Sequence, residues 1–279
     1  GGYNTAVGYQ ALDDCTTGTM NVAVGDGVLS AVTNESSNTG MGHFALNANT
    51  ASSNSAFGRN SLRNNTSGSN NTAIGATTLT NNTTGINHVA IGQNALTANT
   101  TGASNVAIGK DALDANTTGS VNIAIGRFAL TSNTTASSNI AVGDSTLSQN
   151  LTGAENIAVG GNAMSLNTTG GGNIGIGFQC LDANTTGGAN TAVGRSALGT
   201  NTTASDNSAF GFFALLSNST GANNTAVGRD ALVNNTTASN NTAVGKGALS
   251  ANTTGTQNVA VGSFALDANT TANDNVSIG

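Results

Sequence analysis

The sequence predicts an all-β protein, a parallel β-solenoid (β-roll or β-helix) that completes one coil every 17 residues. The first observation is a repeat with the pattern N-x-A-[VI]-G-x-x-A-L-x-x-N-T-T-[GA]-x-x, which begins at Asn4 and is still present at Asn275. The second is the absence of Pro from a chain that holds 38 Gly. The third is apolar spacing that does not fit the three-and-four pattern of a helical repeat.

The repeat covers the whole chain of 279 residues as sixteen complete units plus partial ends. Only the step from Asn38 to Asn54 is 16 residues long, and the missing residue falls in the turn segment 49–53. No linker or change of composition interrupts the pattern. We therefore expect residues 1–279 to form a single continuous solenoid. Since the last unit is incomplete, we also expect this solenoid to be a segment of a longer chain.

Positions two to four of each unit are predicted to form the strand. Position two is β-branched or small, position four is mostly Val or Ile, and position nine is Leu in every unit except one, which has Met164. We expect these three columns to point into the coil. Positions three and eight are mostly Ala and lie out of phase, so they are expected to face outward. Small residues on an outer face would allow sheets of three copies to pack closely, which predicts a homotrimer. The alternative is a single-chain solenoid whose Ala columns are plain surface.

Position five is Gly in all 17 occurrences, which predicts a corner where the backbone has positive φ or where no Cβ fits. At position fifteen, Gly residues such as Gly18 and Gly119 alternate with Ala136, Ala204, Ala238 and Ala272, so a small side chain matters more at this turn than a particular φ. The predicted corner residues are Gly8, Gly25, Gly75, Gly92, Gly109, Gly126, Gly143, Gly194, Gly228 and Gly262.

Asn fills positions one and twelve of nearly every unit and is expected to form amide ladders along the stack. The position-twelve Asn also begins an N-x-[ST] acceptor pattern in 13 units. Three interpretations remain open for this face: a glycan sheath, an ice-binding array of Asn and Thr, and a ladder without a ligand. The candidate N-glycosylation residues are Asn99, Asn116, Asn133, Asn167, Asn184, Asn201, Asn235, Asn252 and Asn269.

Charged and aromatic residues collect on one edge, directly after the corner Gly. Basic residues at position six are Arg59, Lys110, Arg127, Arg195, Arg229 and Lys246. Aromatic residues at positions six and seven are Tyr9, Phe44, Phe128, Phe178, Phe212, Phe213 and Phe264. This edge is interpreted either as a surface that contacts a receptor or glycan, or as a surface free to vary because nothing packs on it.

The pattern does not favour an enzyme, since a translational repeat offers the same residues many times rather than one cluster of unlike residues. His43 and His88 occupy different repeat positions, and Cys15 and Cys180 lie nearly ten coils apart, too far for a disulfide. We expect no catalytic residue, cofactor or metal. With 7 Lys+Arg against 13 Asp+Glu, and a net charge of -6, a nucleic-acid partner is not expected. No apolar run is long enough to span a bilayer.

Short stretches of the repeat resemble two groups of fibrous proteins. The segments Val89–Gly92, Val106–Gly109 and Val259–Gly262 are similar to the head repeats of YadA-like trimeric autotransporter adhesins, and Asn4–Leu12 resembles repeats of phage and marine-virus tail-fibre-like proteins. The resemblance implies a left-handed, trimeric β-roll exposed at a surface. The present unit is longer than the adhesin repeat and adds the Asn-Thr-Thr segment.

Together these observations predict a structural fibre or shaft that spaces or presents an adhesive tip, located outside the cell, at a cell surface or on a virion. Self-association as a homotrimer or filament is the expected partner interaction, with surface glycans as a further partner class. The alternatives are a glycan- or matrix-binding adhesin shaft and an ice-binding solenoid.

Overall fold

The computed structural model describes residues 2–279, which form strands and turns and no helix. The chain is an all-β, parallel β-solenoid with one coil per 17 residues, which confirms the predicted fold class. It divides into two compact units, Gly1–Asn139 and Ile140–Gly279. Both units are built from the same coil.

Each coil contributes one three-residue strand at positions two to four. The first unit holds β1 (Thr5–Val7), β2 (Val22–Val24), β3 (Thr39–Met41), β4 (Ser55–Phe57), β5 (Thr72–Ile74), β6 (Val89–Ile91), β7 (Val106–Ile108) and β8 (Ile123–Ile125). The second holds β9 (Ile140–Val142), β10 (Ile157–Val159), β11 (Ile174–Ile176), β12 (Thr191–Val193), β13 (Ser208–Phe210), β14 (Thr225–Val227), β15 (Thr242–Val244), β16 (Val259–Val261) and β17 (Val276–Ile278). Within each unit, every strand pairs in parallel with the next, as where Ala90 lies opposite Ala107.

Backbone hydrogen bonds between coils continue beyond the strands and through the turns. The Leu113 N–H donates to the Ala129 carbonyl at 2.9 Å. Four residues later, the Thr117 N–H donates to the Thr134 carbonyl at 2.8 Å. Most positions of the coil therefore contribute an N–H to a neighbouring coil. A Pro at such a position would leave one carbonyl without its donor, which accounts for the absence of Pro.

The interior of the coil is lined by the Ala columns, contrary to the sequence-based expectation. Ala107 at position three, Ala112 at position eight and Leu113 at position nine are all fully buried. Positions two and four point outward instead, and Ile74 at position four is 40% exposed. The prediction that positions two and four form the core was wrong, and so was the prediction that the Ala columns form an outer face for trimer packing.

The physical reason is that the coil is too narrow to hold three large aliphatic columns. Gly replaces Ala at position three in two coils, and in both a neighbouring side chain occupies the space that a Cβ would need. A Cβ built on Gly40 would lie 2.5 Å from Val28 Cγ1. A Cβ on Gly175 would lie 3.0 Å from Met164 Cε and 3.1 Å from Cys180 Sγ. The Leu of position nine already fills the space that larger strand residues would need. The larger residues of positions two and four therefore point outward, and the alternation along the strand is opposite to the one predicted.

Besides the corner Gly, three positions in each coil have left-handed backbone conformations, and non-glycine residues fill them in most coils. In the coil that starts at Asn105 these are Asp111 with φ 55°, Leu113 with φ 54° and Val121 with φ 59°. This conformation costs an L-residue roughly 1–2 kcal/mol. Complete burial of the Leu113 side chain contributes about 1.5–3 kcal/mol and offsets that cost. This feature could not be predicted from the residue type, since Leu does not favour left-handed turns.

Candidate functional site

The position-five glycines occupy a region of backbone space that disfavours any side chain. Their φ angles range from 126° at Gly279 to 141° at Gly211. A Cβ built on Gly109 would lie 2.5 Å from the backbone oxygen of Gly126 in the next coil. The corner therefore requires Gly for two reasons, its own φ and the close approach of the adjacent backbone.

The position-twelve Asn side chains form a ladder inside the coil. The Asn116 Nδ2 donates to Asn99 Oδ1 at 2.9 Å and to the Gly119 carbonyl at 3.0 Å. Because both the donor and the acceptor of each amide are used between coils, the ladder ties neighbouring coils together.

Burial of this ladder contradicts the glycan interpretation for most of the candidate acceptor residues. Glycan attachment requires the side-chain amide to reach solvent. Among the nine candidates only Asn269 keeps partial exposure. The fully buried candidates are Asn99, Asn116, Asn133, Asn167, Asn184, Asn201, Asn235 and Asn252.

The position-one Asn side chains form a second interior ladder with a different pattern. The Asn122 N–H donates to Asn105 Oδ1 at 2.9 Å, and the Asn122 Nδ2 donates to the Ala136 carbonyl at 2.9 Å. Each side-chain oxygen thus accepts a backbone N–H of the next coil. Each side-chain nitrogen donates to the carbonyl at position fifteen of its own coil and so joins the two ends of that coil. This pattern explains why the column requires a side chain with both a donor and an acceptor.

His88 reproduces both interactions of the Asn that it replaces. Its Nδ1 accepts the Asn105 N–H at 3.2 Å, and its Nε2 lies 2.7 Å from the Gly102 carbonyl. This pattern assigns the proton of the neutral ring to Nε2. Burial lowers the pKa of His88 from 6.5 to about 4, with the two backbone hydrogen bonds opposing that shift. His88 is therefore a neutral ladder residue rather than a metal ligand or a base.

We expect acid to weaken the fold through His88. In the folded state this imidazole resists protonation until about pH 4, whereas in the unfolded chain it binds a proton near pH 6.5. Stability is therefore fully present above pH 6.5 and falls as the pH drops towards 4, by roughly 3 kcal/mol in total. The measurement is the free energy of urea unfolding at several pH values, for the wild type and for His88→Asn. Carboxylates titrate in both proteins, so only their difference reports His88. A difference that does not change with pH would contradict the assignment.

The two cysteines also replace repeat residues. Cys180 is buried at position eight, and burial raises the pKa of its thiol to about 12. Cys15 stands in the position-twelve column, where its Sγ lies 3.8 Å from the Gly18 carbonyl. Both thiols are free. Neither is brought near a histidine that could activate it as a nucleophile.

The variable edge of the second unit carries stacked cations and aromatic rings. Arg195 Cζ lies 6.0 Å from the ring centroid of Phe178 and 5.8 Å from that of Phe212. Arg229 Cζ, from the next coil, lies 5.5 Å from the ring centroid of Phe212. Arg229 also pairs with Asp230 at 3.1 Å. The position-six column thus alternates Phe and Arg over successive coils, a contact pattern that stabilises both side chain types.

The first unit has smaller groups of the same kind. Lys110 Nζ and Arg127 Cζ lie 5.3 and 5.2 Å from the ring centroid of Phe128. Arg63 Cζ lies 5.0 Å from the ring centroid of Phe44. Here Lys110 is paired with Asp111 at 2.6 Å, so its charge is largely compensated. Lys110, Arg127 and Phe128 of the predicted edge columns are thus brought together as a cation–aromatic stack, whereas Arg63 reaches Phe44 from position ten.

A notch of about 140 Å³ opens beside the Phe178–Phe212 stack in the second unit. It arises at position ten, where Gly199 replaces the side chain that every other complete unit has. The lining residues are Gln179, Asp182, Ser196, Gly199, Thr200 and Leu216. The sequence analysis missed this notch, although the single Gly in the position-ten column was a signal that could have found it.

Within residues 2–279 there is no group of three or more His, Cys, Asp or Glu residues that could hold a metal ion. The same residues include no helix long and apolar enough to cross a membrane. His43 is near Asp26, with Nε2 3.3 Å from Oδ2, and both side chains are about half exposed. His88 stands in a different column of the repeat and forms no metal-binding group with this pair.

The comparisons with known proteins do not assign this chain to a family. No protein-family model matches it, and no curated protein matches it. A proposal for the function of the chain therefore depends on its fold and surfaces.

Proposed function

We propose that this chain is the shaft of an extracellular fibre, which spaces or presents an adhesive tip and associates with copies of itself as a homotrimer. The observation that carries this proposal is the outward face of the strands. Positions two and four place two columns of apolar or hydroxyl-bearing side chains on this face, with none of the charged residues of the chain among them. Placement outside the cell is supported by the resemblance of Val106–Gly109 and its equivalents to surface-exposed trimeric fibres.

The outward aliphatic face has enough apolar surface for association. In the second unit Ile176, Phe210, Val227 and Val244 are each 36–41% exposed. Full burial of such a side chain contributes about 1.5–3 kcal/mol, so covering the exposed part adds roughly 0.6–1.2 kcal/mol per residue. Several residues per unit would together contribute several kcal/mol. Extended apolar faces of this kind on soluble proteins mark interaction surfaces.

A second copy of the same chain fits this face better than an unrelated partner. The side chains recur at the spacing of paired strands, about 4.8 Å, along each unit. Another copy has the same spacing, so its side chains can interdigitate over many coils, whereas a globular partner would match only locally. In a trimer, the same heterologous contact recurs three times about the axis and closes the assembly, so a face that repeats along the shaft can be covered along its length.

The mass of the protein in solution tests this proposal. We expect the wild type to sediment at three times the mass of one chain, and Ile176→Lys to sediment as a monomer because it places a charge in the covered face. Thr186→Lys is the matched control, since Thr186 lies in the same coil, is exposed, and is not on this face. The control should remain trimeric. A wild type that stays monomeric at high concentration, or equal dissociation by both substitutions, would refute the proposed assembly.

A further inference from the structure

We propose that the notch at Gly199 and the neighbouring Phe–Arg stack form a binding subsite for a carboxylated sugar residue of an acidic oligosaccharide. This inference goes beyond the shaft function and does not depend on it. It rests on three features that coincide in one part of the second unit: an uncompensated guanidinium, exposed aromatic rings and a polar notch.

Arg195 has the properties of a carboxylate-binding group. Its guanidinium lies between the rings of Phe178 and Phe212, at 6.0 and 5.8 Å from their centroids. Arg195 is solvent-exposed and forms no ion pair with a carboxylate among residues 2–279, unlike Arg229 with Asp230. Stacking on both sides restricts the rotation of the guanidinium and leaves its edge N–H groups available. A planar fork held in this way suits bidentate binding of a carboxylate.

The aromatic rings supply a surface for the apolar face of a sugar ring. Phe178 is 47% exposed, and Phe212 is partly exposed. The negative face of a phenyl ring attracts the weakly positive C–H groups that line one side of a pyranose. Because these rings flank Arg195, stacking and carboxylate binding can act on the same sugar or on adjacent sugars of a chain.

The notch offers polar groups that match sugar hydroxyls. Its volume of about 140 Å³ is the size of one ring rather than of a folded peptide segment. Gln179 and Ser196 follow Phe178 and Arg195 directly in sequence and line the notch, so the stack and the notch are adjacent. Asp182, which also lines it, accepts a hydrogen bond from Ser165 through Oδ1 and has a second oxygen for a ligand hydroxyl. Alternating donors and acceptors of this kind orient ligands in small sites.

Gly199 is the residue that makes the notch, and a side chain there requires only small shifts, since the backbone oxygen of Ser196 would lie 3.2 Å from an added Cβ. The φ of Gly199 is not in the left-handed region, and the nearest atom to an added Cβ is Leu216 Cδ1 at 3.0 Å, the end of a flexible side chain. Thr occupies the same column in other coils, at Thr80, Thr97 and Thr131. Gly199→Thr should therefore fill the notch and leave the coil folded.

The test is a titration of the isotopically labelled protein with a linear trisaccharide of uronic acid, followed by backbone amide NMR shifts. We expect shifts that are concentrated between residues 178 and 216. Gly199→Thr should weaken binding at least tenfold, and so should Arg195→Gln. Arg229→Gln, which removes a guanidinium already paired with Asp230, should change affinity less than about twofold. The same trisaccharide with its carboxyl groups reduced to alcohols should bind weakly and be insensitive to Arg195→Gln.

Several outcomes would overturn the proposal. One is the absence of shifts at millimolar trisaccharide, and another is binding that Gly199→Thr leaves unchanged. Equal affinity for the reduced trisaccharide would remove the role of Arg195. A hexaglutamate peptide that shifts the same amides as strongly would show that the site binds acidic chains in general rather than a sugar. None of these results bears on the trimeric shaft, whose test is the mass in solution.

Discussion

Ala107→Arg is expected to destroy the coil that contains it, whereas Ile108→Arg, one residue further along the same strand, is expected to leave the coil folded. Ala107 is fully buried, so the substitution places a long cationic side chain where only a methyl group fits. Its charge would have no carboxylate partner in a column of Ala and Leu. An unpaired buried charge typically costs 3–5 kcal/mol, and overpacking adds to this.

Ile108 is the control because its side chain points outward and only partly loses solvent contact. Long side chains already occur in this column, as at Met41 and Phe57, so Arg fits there. We expect a change in unfolding free energy within about 1 kcal/mol, typical of surface substitutions. The measurement is far-UV circular dichroism with urea unfolding, made at concentrations where the assembly state is the same for both variants. The reverse order of stability would show that the Ala columns face outward after all.

These two residues also show where sequence reasoning reached its limit. The 17-residue period, the strand at positions two to four and the corner Gly could all be predicted, because they depend on local pattern and on punctuation. Which face of each strand points into the coil could not be derived from side-chain size alone. Larger aliphatic residues usually indicate the core, but here the interior has room only for Ala beside Leu.

A signal for the correct phase was present in the sequence. Val28 at position eight is followed in the next unit by Gly40 at position three, and Cys180 shares its unit with Gly175. Such compensation between a larger and a smaller residue is expected only where the two side chains face each other in a packed interior. Reading the two columns together, rather than each by itself, would have placed both of them inside.

The candidate surfaces were predictable to different degrees. The edge columns of Arg and Phe follow directly from the register, and the structure brings Arg195 between two rings as that register implies. The burial of the Asn116 ladder did not follow from sequence, because an Asn can bond to its own copy either inside or outside a coil. The left-handed conformation of Leu113 was also hidden, since its cost is offset by tertiary burial rather than by local preference.

The corner glycine gives the second large expected effect, through Gly109→Val. Gly109 has φ 136°, and a Cβ there would lie 2.5 Å from the oxygen and 2.6 Å from the carbonyl carbon of Gly126. Both atoms belong to a backbone segment that hydrogen bonds hold in place, since the Gly126 N–H donates to the Ile108 carbonyl at 2.8 Å. The adjacent coil therefore cannot move away without losing these bonds. A residue in such a backbone region costs about 1–3 kcal/mol by itself, and the β-branch of Val adds to the clash.

We therefore expect Gly109→Val to lower the free energy of unfolding by more than about 3 kcal/mol, with loss of amide exchange protection in the coils on either side. Ala136→Gly is the matched control at the other turn. Ala136 does not have a positive φ, and Gly119 fills the same position one coil earlier, so the substitution should cost only about 0.5–1 kcal/mol, through the greater freedom of the unfolded chain. Thermal melting and hydrogen exchange of the two variants measure the difference. Similar losses from both would mean that the two turns impose the same constraint, and that the φ and close approach at position five do not set the corner apart.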